Sequence, residues 1–223
     1  MQQAQLRAPV PASTLPRLLA RIAGATPMPP PQAPAARLGE WLDWPRAVAL
    51  SRALDGPAAV DDDAGSDVDA DTCAHVREEL VQSITAERGW PAADAGSDAA
   101  AAAVLRHCQS LQRAMQAATG RLRGQLRDRL ARQSPLQARL AAVDAVLEGV
   151  LSPREHALLA PVPALLAAHC ERLQRSDGAT AQADGWYRPF REDARQVLLA
   201  ELDLRFQPVD ALVAALRPSS VDA

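Results

Sequence analysis

Each cysteine in the sequence lies beside a histidine, in the pairs Cys73 with His75, His107 with Cys108, and His169 with Cys170. Thiolate sulfur and imidazole nitrogen are ligands that zinc prefers, so three such pairs could supply four ligands if a fold brought them together. However, adjacent helical residues point about 100° apart, and the spacing fits no local zinc finger. We therefore expect buried thiols, ordinary histidines and no metal or other cofactor. Whether the pairs meet in space is left open.

An acidic stretch offers a second candidate for metal binding. Its side chains fall on the first, third, fifth and twelfth positions of a calcium loop, at Asp67, Asp69, Asp71 and Glu78. The sixth position needs glycine for the sharp turn, and Thr72 stands there. We expect a solvated linker instead. The sequence also has no P-loop, no dinucleotide fingerprint and no nucleophile elbow, so we expect neither an enzyme nor a small-molecule substrate.

Arginine supplies all 24 basic residues, and its distribution is uneven. Seven arginines and one aspartate lie in residues 101–135, whereas residues 55–98 hold twelve acidic and two basic side chains. The candidate basic face consists of Arg121, Arg123, Arg127 and Arg129. Such a face could follow a phosphate backbone, bind an acidic protein or the chain's own linker, or simply be solvated. The net charge of -3 and the lack of interleaved aromatic residues place nucleic acid second to a protein partner.

Two tryptophans form the other candidate surface. Trp41 and Trp44 are three residues apart, a spacing that predicts one helix face shared with Leu38 and Val48. Linkers are predicted on both sides, and tryptophan-bearing helices on tethers often bind grooves as anchors. Docking on the chain's own bundle is slightly favoured over docking on a partner.

The elements that would position these residues are helices. Only 3% of the residues are aromatic, so the core must be built from Leu, Val and Ala, which suit helix packing. The strongest periodic signal is a heptad-like seam at Val104, Cys108, Leu111, Met115, Ala118 and Leu122. Ser134-Pro135 then predicts a cap and a new helix, whose seam runs from Leu136 to Val150. Two long seams joined by so tight a turn predict an antiparallel hairpin.

Further breaks are expected at prolines. Ser152-Pro153 predicts another helix start, Pro161 and Pro163 predict an interruption, and Pro208 predicts a kink in the last helix. The Pro-rich residues 26–34 and the Asp-rich residues 55–71 are predicted to be linkers. We therefore predict an all-α antiparallel helical bundle at 72–217, a tethered N-terminal arm at 1–71 and a tail at 218–223.

The location is predicted from what the sequence lacks. The three cysteines are an odd count, the first ten residues contain no apolar signal region, and no apolar run reaches the roughly 18 residues of a spanning helix. These features predict a cytoplasmic protein that does not insert directly into a membrane.

Three segments carry a resemblance to a known family: "SPLQARLAAVDAVLEGVLSPREHALLAPVPALL", "LLAELDLRFQPVDALVAAL" and "WLDW". Together they resemble a proteobacterial family of uncharacterised helical cytosolic proteins, a domain of unknown function of about this length. Such families tend to be encoded beside envelope components resembling MotA/ExbB-type and OmpA-type proteins. The resemblance therefore implies an accessory role at an envelope assembly, and it transfers no catalytic residues.

The sequence thus favours a non-enzymatic helical adaptor or scaffold that binds a protein partner or self-associates. A nucleic-acid-associated regulator using the arginine-rich helix is the second hypothesis, and an enzyme of unrecognised type is the third.

Overall fold

The computed structural model describes residues 14–24, 34–56, 68–91, 97–177 and 185–216. Within them lie the helices α1 (Thr14–Ala23), α2 (Pro34–Trp41), α3 (Trp44–Asp55), α4 (Ala70–Thr85), α5 (Ser97–Gln133), α6 (Pro135–Leu159), α7 (Val162–Asp177) and α8 (Tyr187–Leu216). A 3-10 turn at Glu87–Gly89 follows α4, and these ranges contain no β-strand. The predicted all-α helical bundle is confirmed. None of the helices described is long and apolar enough to cross a membrane.

The long hairpin forms as predicted. Ser134 is extended at the N-cap of α6, and its hydroxyl accepts the backbone N–H of Gln137 at 3.3 Å. Pro135 starts the helix, where its missing N–H costs nothing. Arg123 on α5 and Asp144 on α6 form an ion pair. Because these residues lie about equally far before and after the turn at Ser134, the contact shows that α5 and α6 run antiparallel.

Helix α8 packs against α5, α1, α4 and α7. Its buried side chains face the seam of α5, in which Val104, Met115, Leu126 and Leu130 are completely buried. Phe190 and Phe206 are the largest buried side chains of α8. The helix continues through Pro208 to Leu216 as a single element.

The predicted helix start at Ser152-Pro153 is wrong, because α6 continues through Pro153 to Leu159. A proline inside a helix removes one backbone hydrogen bond, at a cost of about 3 kcal/mol. Tertiary contacts beyond the proline offset this loss. Glu155 accepts a hydrogen bond from Arg205 at 2.8 Å, and Leu159 is buried. The interruption predicted at Pro161 and Pro163 is present, because α6 ends at Leu159 and the next helix begins at Val162.

The N-terminal helix α1 packs against α7 and α8. Leu15 and Ile22 are buried in the main core, and Gly24 ends the helix with a φ of 66°, a conformation that favours glycine. Residues 25–33 and 57–67, which hold most of the two predicted linkers, lie outside the described residues. Val68 is buried and Asp69 caps α4, so the acidic stretch joins the bundle before residue 71. The division into arm, bundle and tail stays a prediction.

Candidate partner-binding surface

The two tryptophans of the WLDW segment lie on different helices. Trp41 is the last residue of α2 and Trp44 the first of α3, because Asp43 caps α3 and Pro45 occupies its first turn. The Asp43 carboxylate accepts the N–H of Arg46 at 3.0 Å. This break removes the single helix face on which the spacing of three had placed both indoles.

One tryptophan is held by the bundle. The guanidinium carbon of Arg154 lies 5.5 Å from the centroid of the Trp41 ring, a cation–π contact between α6 and α2. At the other end of α3, Arg139 donates a hydrogen bond to the carbonyl of Gly56 at 3.3 Å. Together, these contacts show that α3 lies antiparallel on α6. Leu38 and Val48 are half-buried.

Trp44, in contrast, is 81% exposed. The other large apolar side chains that are exposed in the described residues are Leu54, Leu136, Leu140 and Leu158, all on α3 or α6. Leu140 and Leu158 are eighteen residues apart, about five turns at 3.6 residues per turn, and Leu136 lies about 40° from them. They therefore share one side of α6. We call these five side chains the α3–α6 apolar strip.

The four arginines of the predicted basic face do not share one solvent-exposed surface. Arg123 is 8% exposed, and its Nε and terminal nitrogen donate to the two oxygens of Asp144 at 2.9 and 2.8 Å. Arg127 binds both Asp144 and Glu148. Burial alone would lower the pKa of Arg127, but hydrogen bonding to Glu148 and the charges of both carboxylates raise it above its ordinary value.

The remaining two arginines face elsewhere. Arg129 donates to the carbonyl of Val68 at 2.7 Å, where the acidic stretch joins α4. Arg121 is exposed on the side of α5 that faces α4. A continuous phosphate-binding face is therefore absent from this group.

A polar cluster that the sequence analysis did not identify joins α5, α6 and α8. Glu201 has no exposed surface, accepts a hydrogen bond from Gln112 at 2.7 Å, and accepts two from Arg205 at 3.0 and 2.8 Å. Arg205 also binds Glu155. Glu201 follows the apolar seam residues Val197 and Leu198 at intervals of four and three, a position that would have singled it out.

Two clefts of about 200 and 270 Å³ adjoin this polar cluster and share Gln116, His156 and Arg205. A buried ion pair is weak evidence for stability and is commonly structural. The cluster therefore fixes how three helices meet, and nothing in its geometry selects a ligand.

The cysteine and histidine pairs do not assemble a ligand set of three or more side chains in the described residues. All three thiols are buried, and burial raises the pKa of Cys108 to about 12 and that of Cys170 to about 11. His107 packs against Trp90, and His169 binds Asp193 at 2.8 Å. In the described part of the chain, no three His, Cys, Asp or Glu side chains come close enough to hold a metal ion.

Two residues of the calcium-loop pattern, Asp69 and Glu78, make hydrogen bonds to nearby residues of α4. Asp69 accepts the hydroxyl and the backbone N–H of Thr72, both at 2.7 Å, and these hydrogen bonds lower the pKa of its carboxyl. Glu78 accepts from Gln82 one turn later, and Asp67 lies outside the described residues. Asp69 is thus a helix cap.

Comparison with known proteins places the chain in a family. A family model described as "Protein of unknown function (DUF3348)" matches residues 1–218, and the chain belongs to this family. The predicted resemblance to a domain of unknown function is confirmed at that level. No curated protein and no solved structure matches the chain.

Proposed function

We propose that this chain is a non-enzymatic helical adaptor, and that the α3–α6 apolar strip binds a protein partner. The observation that supports this most directly is Trp44, a large apolar side chain that leaves 81% of its surface in water. Interface anchors are enriched in tryptophan, and each buried indole removes roughly 150 to 250 Å² from water. Leu136, Leu140 and Leu158 add three exposed leucines on α6, the helix against which α3 packs.

The setting we propose is the bacterial cytoplasm, where the adaptor would serve an envelope assembly with MotA/ExbB-type and OmpA-type components. Its support is the genomic neighbourhood that the family resemblance implies. The hypothesis of a nucleic-acid regulator is weaker, because the carboxylates of Asp144 and Glu148 already neutralise two of the four arginines on which it depends.

The test is affinity capture from the native host with the full chain, comparing wild type with Trp44→Ala combined with Leu158→Ala. Both side chains are exposed, so the variant keeps its helicity and melting temperature, which circular dichroism verifies. Loss of two apolar anchors should reduce recovery of the bound protein at least about tenfold. Gln207→Ala, an exposed change on α8, is the control. Equal recovery by all three proteins would remove the strip from the proposal.

A further inference from the structure

An open groove between α4 and α5 lies on the opposite side of α5 from α6. The two helices run antiparallel, since Arg129 on α5 binds Val68 just before α4, while the Trp90 ring beyond α4 lies 5.1 Å from the ring of His107 on α5. The groove has a volume of about 820 Å³, and residues 76–86 form its α4 wall. At 1.5 Å per residue, that wall is roughly 16 Å long, or three helical turns.

The floor of the groove is formed by apolar side chains, and those on its α5 side are small. Val76 and Leu80 contribute from α4, and Ala114, Ala117 and Ala118 contribute from α5. Alanines spaced by three and four residues lie on one side of a helix, and their small side chains leave room beside the backbone. Ala114 and Ala117 are exposed to solvent although they line an apolar surface.

The rim carries opposite charges on its two walls. Glu79 stands on the α4 wall with its side chain 62% exposed and a carboxylate oxygen 3.3 Å from the imidazole of His75, and Arg121 stands exposed on the α5 wall. Gln82 and Ser83 complete the polar rim on α4. An occupant that complements this rim carries a carboxylate on the edge facing Arg121 and a basic group on the edge facing Glu79.

The walls also determine the backbone conformation of the occupant. Both are helices whose backbone groups hydrogen-bond within the helix, so they offer no ladder to an extended peptide. A strand in this groove would leave N–H and C=O groups unpaired, whereas a helix satisfies its own.

We propose that the α4–α5 groove binds one amphipathic helix of a partner protein, about three turns long, with an aliphatic face, an acidic edge and a basic edge. This goes beyond the proposed α3–α6 contact. A chain with both surfaces binds two partner segments on opposite sides of α5. The groove also gives Arg121 a role that the other arginines of the predicted basic face do not share.

The experiment uses a displayed library of about 14-residue helical peptides, selected on the full chain. We expect enrichment of peptides that carry an acidic residue on one edge of an aliphatic face. Their affinity should fall threefold to tenfold on Arg121→Glu and should recover when the peptide carboxylate is replaced by arginine.

Ala117→Trp fills the groove with an exposed side chain, keeps the fold, and should abolish peptide binding. Trp44→Ala should leave peptide binding unchanged, which separates this site from the apolar strip.

Two results would overturn the inference. One is a selection whose peptides bind wild type and Ala117→Trp equally, with both proteins melting at the same temperature. The other is a wild-type dimer in sedimentation that Ala117→Trp converts to monomer, since the groove would then bind a second copy of this chain.

Discussion

The two sides of α5 use arginine in different ways. Arg121 and Arg123 are two residues apart, so they point about 200° away from each other. On the α6 side, Arg123 meets Asp144 and is almost fully buried. On the α4 side, Arg121 borders an open, alanine-lined groove. A run of arginines therefore has no single role, because the facing helix decides whether each charge is paired or available.

The largest expected effect comes from removing Arg123. The side chains of Arg123 and Asp144 are only 9% and 14% exposed, so Arg123→Ala leaves a carboxylate buried without its bidentate partner. Breaking such a pair costs about 3 to 5 kcal/mol of the free energy of unfolding. Because Arg127 also lies 3.3 Å from Asp144 and can compensate in part, we expect a value near the lower limit. Urea unfolding of the purified chain measures it.

The matched control replaces both partners, as Arg123→Met with Asp144→Leu. An apolar pair of similar size should restore most of the lost stability, since the remaining charges, Arg127 and Glu148, still pair with each other. A single variant that loses less than about 1 kcal/mol would mean that the charges on this side of α5 are solvated, and the contrast between the two sides would disappear.

Features that depend on neighbouring residues were predictable. The α5–α6 hairpin follows from two apolar seams and the Ser134-Pro135 cap, and the start of α3 follows from Asp43 and Pro45. A cap at Asp43 divides Trp41 from Trp44, so the single helix face predicted for them does not form. Local signals therefore predict the helices, whereas a face shared by two side chains also depends on whether a cap lies between them.

Features that depend on distant residues were not predictable. Ser152-Pro153 has the local form of a helix start, but Glu155 binds Arg205, which is 50 residues away in sequence. The pairing of Arg123 and Arg127 with Asp144 and Glu148 likewise requires knowing that α6 folds back on α5 with this rotation. A sequence window contains neither fact, so the predicted basic face grouped arginines that the fold separates.

An intermediate effect on the free energy of unfolding is expected at Cys108, on the buried side of α5 between its two charged sides, and this effect depends on pH. Burial raises the pKa of Cys108 to about 12 from an ordinary value of 9.0, so the folded state prefers the neutral thiol. Its contribution to stability is complete below pH 9 and is lost as the pH rises from 9 to 12. At pH 10 the loss should be about 1 kcal/mol. The measurement is the difference in unfolding free energy between wild type and Cys108→Ala from pH 8 to 10.5. Parallel curves would contradict a buried thiol here.

The smallest expected effect on stability is that of Arg121→Gln. An exposed arginine at a groove rim contributes little to folding, so the free energy of unfolding should change by less than about 0.5 kcal/mol. The same substitution should lower the affinity for the acidic helical peptide roughly threefold, and only at low salt, because higher salt screens an exposed charge pair.

The control Arg113→Gln removes an exposed charge from the same helix outside the groove, and it should change neither the stability nor the affinity. Arg123→Gln should lower stability while the remaining folded protein still binds the peptide. If Arg121→Gln instead destabilised the chain as much as Arg123→Gln, both arginines would be structural and the groove would lose its charged edge.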